Sequence, residues 1–98
     1  MTVEELEAAF EKHSEDEFLE FNRIKNPRHH RPDLCAFLMP DEAVPGEFGR
    51  DMVSGAEHDL VFLGVDVEEL AKVATDDLIR DLSRCGVRFE DSWLEMFA

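Results

Sequence analysis

The stretch HDLVFLGVD, residues 58–66, decides the fold class of this chain. Its centre is a continuous apolar run, rich in the β-branched and aromatic residues that favour a strand in the middle of a sheet. Asp66 then stands where a helix N-cap is expected, because a short side-chain oxygen there accepts a hydrogen bond from a free backbone amide. A buried strand that leads directly into a capped helix predicts a domain combining a sheet with helices.

Downstream of Asp66 the apolar residues recur at intervals of three and four, which predicts two consecutive short helices or one helix kinked at Thr75. Thr75 precedes two aspartates and has the character of a new N-terminus. Gly86 suits the end of the second helix, since glycine readily adopts the left-handed conformation found there. VRF (87–89) and WLEMF (93–97) predict two strands joined by a Glu-Asp-Ser turn.

Upstream, Thr2 and Glu5 form a capping box, in which each side chain satisfies a free backbone amide at a helix start. Together with the apolar spacing that follows, the capping box predicts a helix over residues 3–13. Residues 18–24 alternate between apolar and polar side chains, which favours a strand over a second helix.

The apolar run LCAFLM, residues 34–39, predicts a short helix capped by Asp33, although a buried strand fits nearly as well. Pro40 is expected to end that helix, because proline lacks the backbone N–H that a helix interior uses. Residues 40–55 are rich in glycine and proline and predict a long loop, with a helical turn near residues 51–54 or a functional role.

These elements predict a single α+β domain over residues 1–98, with residues 1–14 as an acidic helix at its periphery. We expect three or four short, mostly antiparallel strands, with three to four helices packed on the sheet. The length suits one modest hydrophobic core, and 44% of the residues are hydrophobic, which argues against a disordered acidic chain.

The formal net charge of −14 is unevenly distributed: residues 1–20 carry −7, whereas residues 21–35 carry +3. Such a field repels nucleic acid and anionic membranes and attracts basic proteins, so we expect a basic host protein as the partner and no direct contact with nucleic acid or membrane. The chain starts with acidic residues rather than a secretory signal, and no apolar run approaches the roughly 20 residues of a membrane span. The sequence therefore predicts a cytoplasmic protein.

Several sequence motifs of common enzymes are missing from the chain. It contains neither of the two glycine-rich phosphate-binding motifs, no G-x-S-x-G nucleophile elbow and no H-E-x-x-H zinc motif. We therefore expect a non-enzymatic protein without a cofactor.

The alternative is a small metal-binding or enzymatic domain that uses Cys35, His58 and Cys85. Thiolate and imidazole groups are the usual ligands of zinc, and His30 precedes Cys35 at nearly the spacing of a ligand pair. Both cysteines lie in apolar surroundings, however, where a free thiol behaves as a small hydrophobic side chain. His58 stands between two acidic residues, an arrangement that suits a general base, but neighbours on a strand point to opposite faces.

The first helix presents a dense set of carboxylates for a basic partner. The candidate partner-binding residues are all acidic: Glu4, Glu7, Glu11, Glu15 and Asp16. Rows of carboxylates can imitate DNA phosphates, so the sharper hypothesis is a DNA mimic that blocks a nucleic-acid-binding protein. The alternative is that the acidity serves only solubility or adaptation to high salt.

The segment RIKNPRHHRPDLC, residues 23–35, is the one basic stretch. Its loop residues Arg28, His29, His30 and Arg31 are candidates for pairing with the chain's own carboxylates, for a dimer contact, or for binding an anion. A homodimeric structural module with this loop at its interface is therefore a further alternative.

The segments RPDLCAFLM, AEHDLVFLGVD and RCGVRFEDSWLEMF resemble stretches of small proteins encoded by bacteria, phages and mobile elements. The resemblance covers residues 18–98. It implies an accessory role of phage or mobile-element type, and it transfers no activity and no site residues, because no function is assigned to that group.

Overall fold

Four antiparallel strands form one sheet in the order β1-β2-β4-β3. They are β1 (Val53–Glu57), β2 (Leu60–Leu63), β3 (Val87–Glu90) and β4 (Trp93–Phe97). The computed structural model describes residues 1–97. The strand predicted within residues 58–66 is confirmed as the interior strand β2, while His58 and Asp59 form the tight turn that joins it to β1.

Four α-helices pack on one face of this sheet, and the α+β fold class is therefore confirmed. They are α1 (Val3–Asp16), α2 (Pro32–Ala43), α3 (Val67–Val73) and α4 (Asp76–Arg84). The two consecutive helices expected after β2 are present as α3 and α4. Asp66 accepts hydrogen bonds from the first amides of α3, and the Thr75 hydroxyl accepts one from Leu78 N at the start of α4.

The capping box predicted for α1 is present, with both Thr2 and Glu5 bonding the other residue's backbone amide. The hydrogen bond from Thr2 N, followed by the interaction with the Thr2 side chain, lowers the pKa of the Glu5 carboxyl. The helix ends at Asp16, three residues later than expected. Its apolar stripe enters the core, where Leu6 and Phe10 are buried.

The strand predicted over residues 18–24 is wrong: the segment holds a single 3-10 turn, Phe21–Arg23. Leu19 is 65% exposed and adopts a left-handed conformation with φ of 64°, so it does not alternate with Phe21 across a strand. The side chains that pack on the core are instead Phe21 and Ile24, three residues apart, as a helical turn requires.

The helix expected at residues 34–39 exists as α2, but Pro40 does not end it. Proline removes only the bond of its own missing N–H, and the ladder resumes when Val44 N donates to Pro40 O at 2.8 Å. The buried Pro40 ring lies inside the protein rather than in a loop. The helix also begins earlier, with Arg31 at the N-cap instead of Asp33 and with Pro32 in the first turn, where proline is tolerated.

The predicted loop at residues 40–55 is shorter than expected and is confined to residues 44–52. No helical turn forms at residues 51–54, because β1 begins at Val53 and pairs with β2. The sequence of β1, VSGAE, has little intrinsic preference for a strand, and pairing with the hydrophobic β2 supplies what local propensity does not.

One hydrophobic core joins the helices to the sheet. Its fully buried side chains include Leu6, Leu70, Ile79 and Leu82 from the helices and Leu63, Val87 and Leu94 from the strands. Within residues 1–97, no helix is both long enough and apolar enough to cross a membrane.

Candidate functional site: the acidic groove

The five carboxylates proposed from the sequence as a partner-binding face all lie on α1 and are exposed to solvent. They are Glu4, Glu7, Glu11, Glu15 and Asp16. None of these side chains has an ion-pair partner in residues 1–97. Their charges are therefore left uncompensated at the surface.

A groove of about 630 Å³ lies between α1 and the turn that joins β3 to β4. One wall contains Glu7 and Glu11, which are four residues apart and so project from the same side of the helix. The opposite side is lined by Glu90 and Asp91, at the end of β3 and in the two-residue turn. Glu90 lies opposite Trp93 in the β3–β4 register, so its side chain is at the edge of the groove, on the sheet face away from α1. We call this site the acidic groove.

The floor of the acidic groove is aromatic. Phe10 from α1 is buried, and its ring centroid lies 6.2 Å from that of Phe89 on β3. Phe18, just beyond the end of α1, adds a third ring, which is partly buried. The groove therefore combines apolar surface with carboxylates on both walls.

The single cation in the groove lining, Arg88, does not neutralise these walls. Its guanidinium donates two hydrogen bonds to one carboxylate oxygen of Glu95, at 2.9 and 2.7 Å. Neither Glu90 nor Asp91 has an ion-pair partner among the described residues. The electrostatic potential in the groove is therefore negative, which favours a positively charged ligand.

The structure brings together only two of the five acidic residues that the sequence singled out, Glu7 and Glu11. Glu4, Glu15 and Asp16 lie on α1 outside the groove lining. Glu90 and Asp91 were recognised in the sequence only as part of a turn. Their proximity to α1 depends on how the helix packs against β3, and no local sequence signal reports it.

A larger groove of about 880 Å³ lies between α2 and the 44–54 segment, but its charges are mixed. Asp41, Glu47, Asp51 and Asp66 line it together with Arg50, whose guanidinium lies 3.9 Å from the Glu47 carboxylate. Asp41 accepts a hydrogen bond from Gly46 N and Asp66 caps α3, so three of these four carboxylates already have partners. The acidic groove is the better candidate because all four carboxylates that line it are unpaired.

The basic loop predicted as an anion or dimer contact is largely engaged with its own helix α2. Arg28 donates to the Glu42 carboxylate at 2.7 Å, which is one of the intramolecular pairings expected for this loop. The backbone of His29 exchanges two hydrogen bonds with the Cys35 thiol, and its ring accepts one from Arg31 N. The rings of His29 and His30 stack with their centroids 4.3 Å apart. The loop is therefore folded back onto the start of α2.

The alternative metal set is not assembled. Cys35 and Cys85 are buried in the core, whereas His58 is exposed in the β1–β2 turn. Among residues 1–97, no three histidine, cysteine or acidic side chains are placed to hold a metal ion. Burial raises the pKa of the Cys85 thiol to about 12, and the nearby Cys35 thiol contributes to the rise. At neutral pH Cys85 is therefore protonated and poorly suited to nucleophilic attack.

A second cluster of charged residues, centred on Arg84, joins the end of α1 to the end of α4. Arg84 donates to the Glu17 carboxylate at 2.6 Å and to Asp81 at 3.1 Å, and its side chain is 12% exposed. The same guanidinium donates to the backbone oxygen of Arg23. Since these residues pair with one another, the cluster has a structural role.

The pairing with Arg84 predicts how stability depends on pH. The hydrogen bond from Arg84 lowers the pKa of Glu17 below its ordinary value of 4.5. A carboxyl whose pKa is lower in the folded than in the unfolded state stabilises the fold at pH values above its unfolded pKa. For Glu17 this stabilisation is lost as the pH falls below about 4.5. We expect Glu17→Gln to be less stable than the wild type at neutral pH, with the two unfolding free energies converging on acidification.

Urea unfolding at a series of pH values measures this convergence. Glu15→Gln is the matched control, because Glu15 is exposed and unpaired, and its curve should follow that of the wild type. Parallel curves for Glu17→Gln and the wild type below pH 5 would contradict the assignment.

Comparison with known protein families, curated proteins and solved structures gives no match for this chain.

Proposed function

We propose that this chain is a non-enzymatic interaction module that binds a basic, partly apolar segment of a partner protein in the acidic groove. The observation that carries the proposal is the set of unpaired carboxylates beside an aromatic floor: Glu7 and Glu11 on one wall, Asp91 on the other, and Glu90 at the edge. Lysine or arginine side chains of the ligand would meet the walls, and an apolar side chain between them would contact the phenylalanine rings.

The sharper form of the proposal is a DNA mimic of phage or mobile-element type, acting in the cytoplasm on a basic nucleic-acid-binding protein of the host. Helix α1 contains six acidic residues within fourteen, over a length of roughly 21 Å. With Lys12 subtracted the net charge is −5, or about one negative charge per 4 Å, comparable to the spacing of roughly 3.4 Å along one strand of duplex DNA. The charge density of α1 therefore supports competition with DNA for a basic surface.

Removing two wall charges tests the proposal. The probe is a fluorescein-labelled peptide of alternating arginine and leucine, with binding followed by fluorescence anisotropy at low and high salt. Glu7→Gln together with Glu11→Gln is expected to weaken binding about tenfold, because two exposed charge pairs are lost at up to about 1 kcal/mol each. Wild-type binding should also weaken as salt screens the charges.

The matched control is Asp59→Asn together with Glu68→Gln, which removes two exposed charges outside the groove lining. Its affinity for the probe should be within about twofold of that of the wild type, because salt screens the effect of charges that lie far from the groove. Equal losses in both double variants would mean that net charge alone drives binding, and the groove would be refuted as the site.

Capture of host proteins at low salt separates DNA mimicry from other binding. A partner retained by the wild type, lost by Glu4→Lys with Glu7→Lys and Glu11→Lys, and eluted by excess duplex DNA would support the mimic. A partner that shows the same loss but stays bound in the presence of DNA would support the interaction module and refute the mimic.

A further inference from the structure

The acidic groove presents phenylalanine rings as well as carboxylates to a ligand. Phe18 lies in the turn that follows α1, is partly buried and lines the groove. Within the part of the chain that the structure describes, Phe18 is not among the side chains that pack on the hydrophobic core. Phe89 on β3 also lines the groove and is partly exposed, although it packs on the core as well. Part of the surface of both rings therefore borders the space that a ligand would occupy.

Two carboxylates lie on the same side of α1 as Phe18. Residues 7, 11, 14 and 18 recur at intervals of four, three and four, which is the spacing of one helix face, and all of them line the groove. Neither Glu7 nor Glu11 has an ion-pair partner among the described residues. Glu11 is the nearer of the two to Phe18 along the chain. A ligand cation in this part of the groove can therefore contact a free carboxylate and an aromatic ring together.

Elsewhere in this molecule one guanidinium already combines these two contacts. Arg88 donates from Nε and Nη2 to one carboxylate oxygen of Glu95, at 2.9 and 2.7 Å. The same guanidinium lies 4.7 Å from the centroid of the Phe97 ring. A guanidinium can make both contacts because its N–H groups point outward in its own plane, which leaves its two faces free to stack. The groove presents the same two chemical groups, but no cation of this chain pairs with its carboxylates.

A lysine ammonium makes poorer use of a carboxylate next to a ring. The ammonium is compact and strongly hydrated, so contact with a ring removes water that the ring does not replace. The guanidinium is more weakly hydrated, and it is the cation found more often over aromatic rings. Carboxylates alone would attract both cations by their charge, so a preference between them depends on the rings.

We propose that the acidic groove selects arginine over lysine in its ligand, with Phe18 as the side chain that determines this preference. The inference rests on the proposed function and names the cation that the groove recognises. The guanidinium stacks on the Phe18 ring and donates to the Glu11 carboxylate, as Arg88 does with Phe97 and Glu95. The ligand is therefore an arginine-containing, partly apolar segment of a basic protein.

Two fluorescein-labelled peptides of equal length and charge test this selection by fluorescence anisotropy. One alternates arginine with leucine, and the other alternates lysine with leucine. The arginine peptide should bind the wild type about tenfold more tightly, or by about 1.4 kcal/mol, which is within the range for a cation on an aromatic ring in a partly dry site. Both affinities should fall with salt to a similar extent, because the peptides carry the same number of charges. Equal affinities for the two peptides would overturn the proposal.

Phe18→Leu separates the effect of the ring from that of the carboxylates, because it keeps an apolar side chain at this position. It should weaken binding of the arginine peptide about fivefold and change the affinity for the lysine peptide by less than about twofold. The retained binding of the lysine peptide shows that the variant is folded, and its urea unfolding curve should match that of the wild type because Phe18 lies outside the core.

Phe48→Leu is the matched control, since Phe48 is fully exposed and does not line the groove. Its preference for arginine should equal that of the wild type. A preference that survives Phe18→Leu would overturn the role of Phe18, and so would one that is lost equally in Phe48→Leu.

The inference and the proposed function can fail separately. Equal binding of both peptides, weakened in Glu7→Gln with Glu11→Gln, would retain the groove as the binding site and refute the selection of arginine. If neither peptide bound, both the groove and its preference would be refuted.

Discussion

Replacing Arg88 with methionine is expected to lower the free energy of unfolding by about 3 kcal/mol, because Glu95 is then left charged and unpaired within the sheet. The Glu95 carboxylate is 2% exposed and receives two of its three hydrogen bonds from Arg88. The Arg88 side chain is itself 36% exposed, so water can reach part of the vacated space. We therefore expect a loss near the lower end of the range for broken buried pairs. Urea denaturation measures it.

The double variant Arg88→Met with Glu95→Gln separates the unpaired charge from lost packing. A neutral amide at position 95 can still accept the hydrogen bond of Trp93 Nε1, so the double variant should recover more than half of the lost stability. A double variant as unstable as Arg88→Met alone would mean that the hydrocarbon stem of Arg88, rather than its charge, stabilises the sheet.

Replacing Leu94 with alanine is expected to cost about 3 to 4 kcal/mol of unfolding free energy, because it leaves a cavity at the centre of the core. Leu94 is completely buried on the helix-facing side of β4, between its cross-strand neighbours Leu63 and Phe89. A domain of this size has a total stability of roughly 5 to 15 kcal/mol, so the variant should unfold at a markedly lower urea concentration.

The control for this variant is Phe97→Ala on the outward face of the same strand. Phe97 is 51% exposed, so its truncation should cost only about 1 kcal/mol. Equal costs for Leu94→Ala and Phe97→Ala would contradict the assignment of the two faces of β4.

Much of the fold is predictable because several of its signals are local. The helix starts at Thr2, Asp66 and Thr75 depend on a side chain that reaches an amide two or three residues away. Gly86 ends α4 with φ of 89°, as expected of a glycine in that position. β3 extends one residue further than the predicted strand at 87–89, so only the two-residue turn at 91–92 separates it from β4, and their pairing is also a short-range event.

The errors concern segments whose conformation depends on distant partners. Residues 18–24 have strand-like alternation, yet Leu19 N bonds to Ser83 O at the end of α4 and Phe21 packs on the core. β1 is a strand only because β2 lies beside it. Pro40 is retained inside α2, where its ring is fully buried.

The candidate site likewise has one part that the sequence predicts and another that depends on distant contacts. Composition alone identifies α1 as an acidic helix, and helical spacing puts Glu7 and Glu11 on one side of it. The opposite side of the groove, lined by Glu90 and Asp91, is more than seventy residues away in the chain, and no periodicity connects it to α1. The face of the sheet that the helices cover is likewise invisible in the strand pattern, since alternation shows that a strand has two faces but not which one is covered.

The sequence by itself determined the class of the fold, the strongly acidic surface and the caps that start three of the helices, because each follows from composition or from contacts within a few residues. Only the tertiary structure decided which carboxylates line the same groove, which cation pairs with Glu95 and which face of the sheet the helices leave uncovered. Those outcomes depend on long-range packing between α1, α4 and the sheet, where the burial of apolar side chains outweighs local preferences.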